Sequence, residues 1–488
     1  MNTKVNFFSC LVFITGIFVF LFVHLWKLDL LPGLHYDEAW AANYAHRIAF
    51  EPGFWPFTAM SPYTSPWTHY VAATFFRIFG VNLFIFRLSQ FSLVFIGMLF
   101  TVATLWKLKE RKAALFLPIF LSCFPALVAN HRFAIELNSF HVFCFGLLLY
   151  ALVSKKIFFI ILSSLLGITS HILFLAPVLG ILGAFFLEKG EISKKIRFAC
   201  SFGALLLLPF FLHIAFTIPK PGKAWALVIL CFVTIIFLLL NLRFPEWLRK
   251  QQKYLCYLVI PFFFNLLFFM EGNWQVLITH GKITIPWFIG LFLIPMIFCL
   301  FFYLRDKKNK FPIFWENSFF LTVILLGLMM LKPAPRYFEL GFYSLAILFL
   351  LFLLHVPSKK QKNILMGAFF SFGFISLAMN YGLAKNVVFH EKFSHFLFFK
   401  DSSEDFHSKQ QLVKFLGEKG CSLSNIGTAD SRVLEALHFL SHGDWPILSK
   451  KPCIGTLRVE RLLFNVKPIA PPNFTSWGFG IWQETSHE

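Results

Sequence analysis

Thirteen apolar runs of about 15 to 22 residues follow one another along this chain, at 7–26, 84–106, 113–129, 138–154, 157–171, 173–187, 198–217, 224–242, 254–270, 285–304, 317–331, 338–355 and 364–384. At a rise of about 1.5 Å per residue, a helical run of this length matches the roughly 30 Å hydrocarbon core of a bilayer. A single soluble domain has no core large enough to bury thirteen such segments. The pattern therefore predicts an α-helical polytopic membrane protein of about 13 transmembrane helices. Composition agrees, with 58% hydrophobic residues and 70 phenylalanines in 488. The first run has only Lys4 ahead of it and no small-residue cleavage site behind it, so it reads as an anchor rather than a removable signal peptide.

A net charge of +20 would suit a nucleic-acid partner if the cations were clustered, but they are dispersed among the connecting loops. Membrane topology explains them, and no nucleic-acid partner is expected. One alternate set of short loops holds 21 Lys and Arg; the other holds 6, namely Arg132, Lys220, Lys223, Lys282, Lys332 and Arg336. The positive-inside bias then predicts a cytoplasmic N-terminus and an extracytoplasmic chain beyond residue 384.

This orientation puts the first outer loop, residues 27–83, on the extracytoplasmic face, and long loops between spans usually carry function. It contains Leu34-His35-Tyr36-Asp37-Glu38-Ala39-Trp40, just after the helix-breaking Pro32-Gly33. Asp37 is expected to cap a helix running from Glu38, and the helix dipole there favours an ionised carboxylate, which suits a proton acceptor. A plain N-cap accounts for the same pair of acids. The aromatic and proline groups Phe54-Trp55-Pro56 and Ser65-Pro66-Trp67 suit the headgroup level, and a second interfacial helix is expected at about 66–79, ending at Gly80.

Polar residues recur on the same face: His131-Arg132 through Glu136 after the third run, His171 after the fifth, Glu271 through Lys282 after the ninth, and Lys332 through Glu339 after the eleventh. Each taken alone reads as a solvated loop charge. Together, acids and bases at one face of an apolar bundle point to a site for a charged ligand. Beyond residue 384 the composition turns soluble, and residues 385–488 are expected to form a small α/β domain after the membrane domain 1–384, with helices at 406–418 and 431–441 and a strand near Asn425–Thr428.

Four stretches resemble the membrane-embedded GT-C glycosyltransferases of the protein O-mannosyltransferase and aminoarabinose-transferase superfamily (families 39 and 83). They are His35-Tyr36-Asp37-Glu38; Ser65-Pro66-Trp67 through Phe79-Gly80 with Arg87-Leu88; His131-Arg132 through Glu136; and Arg336-Tyr337-Phe338. Ser65-Pro66-Trp67 departs from the His-Pro-Pro-type run usual in the family.

The resemblance implies transfer of a sugar from a polyprenyl-phosphate donor to a lipid, glycan or protein acceptor, at the outer face of the bacterial cytoplasmic membrane and among its lipids. It implies Asp37 as base, with Glu38 as the alternative base because adjacent carboxylates cannot be ranked from sequence, and Glu38 and Glu136 either orienting the acceptor or holding a divalent cation. A divalent cation on Asp37 and Glu136 is the one cofactor left open. Arg132, Lys332, Arg336 and Tyr337 are implied at the donor phosphate, and His35, His69, His131 and His171 at substrate. A departing lipid phosphate needs cations around it more than a general acid, which agrees with these residue types. The rival reading is a transporter or flippase of a lipid-linked sugar. Transporters place charges or broken helices at mid-membrane, whereas the spans here are nearly free of charge, with His213 the main polar exception.

Overall fold

The computed structural model describes residues 7–29, 36–59, 64–134, 138–187, 312–329, 335–380, 426–428, 439, 456–461, 474–476 and 479–484. The expected spans 198–217, 224–242, 254–270 and 285–304, with His213, lie outside the described residues, as do the expected helix 406–418 and all of 431–441 but Phe439.

Numbered among the described residues, the helices are α1 (Phe7–Leu25), α2 (Tyr36–Phe50), α3 (Trp67–Phe79), α4 (Leu83–Lys107), α5 (Arg111–Ser122), α6 (Pro125–Arg132), α7 (Asn138–Val153), α8 (Ile157–Ser170), α9 (Leu175–Leu187), α10 (Ile313–Met329), α11 (Glu339–Leu354) and α12 (Lys359–Asn380). Short 3-10 turns, Ile172–Phe174 and Pro335–Phe338, precede α9 and α11. The helix ends follow local chemistry. Asn82 caps α4 by accepting from the Ile85 N–H at 2.8 Å. Gly80, at φ +86°, stops α3 in a conformation that costs a side chain.

Two expectations shift. The run at 113–129 is not one helix but two, α5 and α6, broken at Cys123-Phe124 with Pro125 opening the second. A proline at a first helical position needs no N–H partner, so a restart is easy there. Helix α2 begins at Tyr36, which puts Asp37 and Glu38 in its first turn rather than Asp37 at the cap.

The bundle packs α1 on α5, α4 on α7, and α9 on α10, with α11 against α5, α6, α7 and α10. Helix α11 is buried along nearly its whole length. Crossing α4 over α7 depends on Gly97 and Gly146: a Cβ at Gly97 would lie 2.5 Å from the Val142 carbonyl oxygen, and one at Gly146 would overlap the Gly97 carbonyl. Close backbone approach of this kind is what holds helices together wherever lipid rather than water surrounds them. Gly146→Val is therefore expected to push α4 from α7 and cost about 1–3 kcal/mol or more, read as a fall in the detergent-solubilised melting temperature.

The loops at one end of the bundle are tied by Lys107 Nζ to Ser154 Oγ at 2.9 Å, His355 Nε2 near Glu110 Oε1 at 3.7 Å, and Lys362 Nζ to the Leu354 carbonyl at 3.0 Å. These are the loops rich in Lys and Arg. In the C-terminal part, four strands, β1 (Ile426–Thr428), β2 (Thr456–Arg461), β3 (Phe474–Ser476) and β4 (Phe479–Glu484), form a sheet in the order β1-β2-β4-β3. The first pair is parallel and the others antiparallel. Phe439 packs on Phe86 in the first turn of α4, ring centroids 6.3 Å apart, at the end opposite the basic loops.

Candidate active site

At that opposite end several of the described site residues make contacts between helices. Arg87 on α4 holds Glu38 in a bidentate pair, Nε to Oε1 at 2.6 Å and Nη2 to Oε2 at 2.7 Å. Its Nη1 donates to the Leu28 carbonyl at 2.8 Å, and the Ala134 N–H donates to Glu38 Oε1 at 3.1 Å. Both side chains are fully buried. Four segments thus meet on one ion pair: the end of α1, the start of α2, α4, and the turn after α6. A bidentate guanidinium–carboxylate pair with further hydrogen bonds on both members is the form in which buried charge is tolerated. The adjacent Asp37 is only half-buried.

Arg132, at the last position of α6, turns to the C-terminus of α1. Its Nη1 donates to the Val23 and His24 carbonyls at 2.8 and 2.9 Å, and its Nη2 to the Trp26 and Lys27 carbonyls at 2.8 and 3.0 Å. A cation satisfying the last carbonyls of a helix is favoured by both hydrogen bonding and the dipole. Arg132 therefore fastens α1 to α6.

His131, one residue earlier, is buried with its Nδ1 3.2 Å from His24 Nε2 and its Nε2 2.9 Å from Glu339 Oε1. Glu339 opens α11 directly after the turn that contains Arg336 and Tyr337. The Tyr337 ring stacks near the His171 ring, with centroids 6.2 Å apart and planes 18° apart. His171 caps the turn before α9 by accepting from the Leu173 N–H at 3.2 Å.

Helix α3 joins the same end. The Ser65 N–H donates to the Thr169 carbonyl at 2.9 Å and Trp67 Nε1 to Thr169 Oγ1 at 3.2 Å. Gln90 Nε2 donates to the Thr68 carbonyl at 3.2 Å while its Oε1 accepts from Ser139 Oγ at 2.7 Å. His69 is buried and meets the Tyr44 ring edge-on at 5.1 Å; burial pushes its pKa down to about 3, so it is neutral.

The structure thus brings together Asp37, Glu38, His69, His131, Arg132, His171 and Tyr337. His35, Glu136 and Lys332 lie outside the described residues. Among the described residues no three His, Cys, Asp or Glu side chains gather as a metal-ligand set. Two site residues carried no functional assignment in the sequence reading: His24, whose signal was a histidine inside an otherwise uncharged span, and Glu339, whose signal was an acid at the start of one.

The bundle has the fold of a protein of known structure. The structure of ArnT from Cupriavidus metallidurans in the apo state matches at TM-score 0.51 and 13% identity, covering 97% of each chain. The structure of the same protein bound to undecaprenyl phosphate matches at 0.50 and 12%, again over 97% of each. The Archaeoglobus fulgidus oligosaccharyltransferase in complex with Zn and sulfate matches at 0.47 and 12%, over 93% of this chain, which spans 59% of that protein's length. No protein-family model and no curated protein matches the sequence.

Proposed function

We propose that the chain is a membrane glycosyltransferase that moves a sugar from a polyprenyl-phosphate donor to an acceptor hydroxyl or phosphate on a lipid, glycan or protein. The observation that carries this reading is the gathering of Asp37, the Arg87–Glu38 pair, Arg132, His131 and the Arg336-Tyr337 turn at one end of a GT-C bundle. The ArnT structure with undecaprenyl phosphate supports a lipid-phosphate donor.

In this reading Asp37 takes the proton from an acceptor hydroxyl as its oxygen attacks the anomeric carbon. The bond from that carbon to the donor phosphate oxygen breaks, and the lipid phosphate leaves with the electron pair. A single displacement inverts the anomeric centre. Arg336 and Lys332 receive the phosphate, with Tyr337 beside them. Arg132 holds the end of α1 on which the site rests and lends its positive charge, and Glu38 fixes the first turn of α2 so that Asp37 is correctly placed.

The active face and the domain 385–488 are extracytoplasmic in this reading and the N-terminus cytoplasmic, supported by the Lys- and Arg-rich loops at the far end and by Phe439 on Phe86. The membrane is the bacterial cytoplasmic one. The test is transfer from radiolabelled polyprenyl-phosphate sugars by the purified protein, with transport of the same lipid in vesicles as the competing outcome. A guanidinium grips phosphate through two parallel bonds and an ammonium does not, so Arg336→Lys is expected to raise the donor KM about tenfold or more. Unchanged KM would remove Arg336 from the phosphate.

A further inference from the structure

The end of the bundle away from the candidate site carries a surface that the proposed reaction does not use. The turns after α4 and after α7 are built alike. The Lys109 N–H donates to the Trp106 carbonyl at 3.1 Å and the Glu110 N–H to the Leu105 carbonyl at 2.9 Å; the Lys155 N–H donates to the Leu152 carbonyl at 3.1 Å and the Lys156 N–H to the Ala151 carbonyl at 2.9 Å. In each turn a lysine, Lys109 at φ +66° or Lys155 at φ +54°, occupies the left-handed position where a helix end ordinarily favours glycine. The two turns meet: Lys107 Nζ donates to Ser154 Oγ at 2.9 Å and lies 5.0 Å from the centre of the Tyr150 ring. Lys107, Lys155 and Lys156 are all exposed.

The charge here is one-sided. Glu110, the carboxylate that the sequence places in these two turns, faces His355 at 3.7 Å. The alternate set of loops to which the turns belong holds 21 Lys and Arg against 5 acids, Glu110, Glu188, Glu191, Glu246 and Asp306. An anion is therefore the complement of this surface.

An apolar seam leads away from the cations. On α4, Ile96, Leu99, Phe100 and Lys107 share one face at helical spacing, and Phe143, Tyr150 and Ser154 do the same on α7 and the residue that follows it. Phe100 bridges the two helices, its ring centroid 5.6 Å from that of Tyr150 and 6.2 Å from that of Phe143. Ile96 and Leu99 are exposed, and Phe100, Phe143 and Tyr150 are half-buried. The stretch from Tyr150 to Phe143 is about 10 Å long at the helical rise per residue. Directly after Lys155-Lys156, at the start of α8, Phe158 is 69% exposed and Phe159 is exposed beside it. A nucleic acid or an acidic peptide would meet the cations and leave these side chains bare. A molecule with an anionic head and an aliphatic tail meets both.

We propose that the seam between α4 and α7 binds an anionic glycerophospholipid, its phosphate on Lys107, Lys155 and Lys156 and an acyl chain along Tyr150, Phe100 and Phe143. This rests on the membrane location in the reading above and not on sugar transfer. An ammonium has three hydrogens, so Lys107 can hold Ser154 and a phosphate together. The Tyr150 ring and the Ser154 hydroxyl fix where that ammonium stands, whereas a lysine free to move in solvent would have to give up its rotamers to bind.

The test is native mass spectrometry of the full-length protein in detergent, incubated with equal amounts of dioleoyl phosphatidylglycerol and dioleoyl phosphatidylcholine. Phosphatidylglycerol is expected to be retained over phosphatidylcholine by about tenfold. Lys107→Gln and the double variant Lys155→Gln/Lys156→Gln should each reduce that preference to about twofold or less, while Lys359→Gln/Lys360→Gln, two exposed lysines of α12, should leave it unchanged. An equal loss in the α12 variant would mean that diffuse charge attracts the lipid, and would overturn the proposal. Dibutyryl phosphatidylglycerol, the same head without the tail, should compete at least about tenfold less well; equal competition would remove the acyl chain from the seam. Displacement of phosphatidylglycerol by an equal concentration of polyprenyl monophosphate would give the seat to the carrier lipid and overturn the assignment. A chain that stays soluble without detergent fails the membrane reading, whereas one that needs detergent and retains both phospholipids equally fails this proposal alone.

Discussion

Asp37→Asn is expected to leave a folded protein whose sugar transfer falls by about 10²-fold or more. The substitution keeps the size of the side chain and its capacity to accept hydrogen bonds at the start of α2, and removes only its ability to take a proton. The structure sharpens this expectation because it separates the two adjacent acids. Glu38 is fully buried with three donors on its carboxylate, so a proton from an acceptor has no route to it. Asp37, one residue earlier in the same turn, is half-buried. Measuring transfer rate beside melting temperature decides the matter. A folded, fully active Asp37→Asn protein would remove the residue from catalysis, and an unfolded one would return it to a structural role.

The second large effect is on folding. Arg87→Ala is expected to destabilise the protein by about 3–5 kcal/mol, because it strips the buried Glu38 carboxylate of its counter-charge and of the two guanidinium N–H groups it accepts. Glu38→Gln should be milder, since Gln can still accept from Arg87 and from that N–H, although the guanidinium loses its counter-charge. The double variant Glu38→Leu/Arg87→Met should recover much of the stability that either truncation loses, since it removes both charges together. Its transfer activity should nevertheless stay low, because the first turn of α2, and Asp37 with it, would no longer be pinned to α4. Thermal unfolding in detergent of the single and double variants forms the cycle that reads this coupling. Additive losses would mean that the pair is not the joint that the geometry makes it.

Much of this fold was legible in the sequence because its determinants are local. Span existence follows from hydropathy summed over one segment, and the described helices α1, α4, α7, α8, α9, α11 and α12 fall on expected runs within a few residues. The helix at 67–79 and its stop at Gly80 followed equally from proline and glycine chemistry at the two ends. The break between α5 and α6 did not, because an apolar run hides a two-residue interruption from any average over its length.

That Asp37, Glu38, His131, Arg132, His171 and Tyr337 share one end of the bundle was legible, since connections that alternate between two ends leave every second polar cluster at the same one. Their individual parts were not. Nothing in His35-Tyr36-Asp37-Glu38 says which acid meets a guanidinium 49 residues away, nor does His131-Arg132 show that the arginine turns back to the end of α1 while the histidine reaches α11. Those choices depend on which helices become neighbours in three dimensions. A buried polar group must find its partner wherever packing has placed one, so the sequence by itself determined where the described apolar helices lie, and only the tertiary structure decided which of the two adjacent acids is enclosed in an ion pair and which is left half-buried.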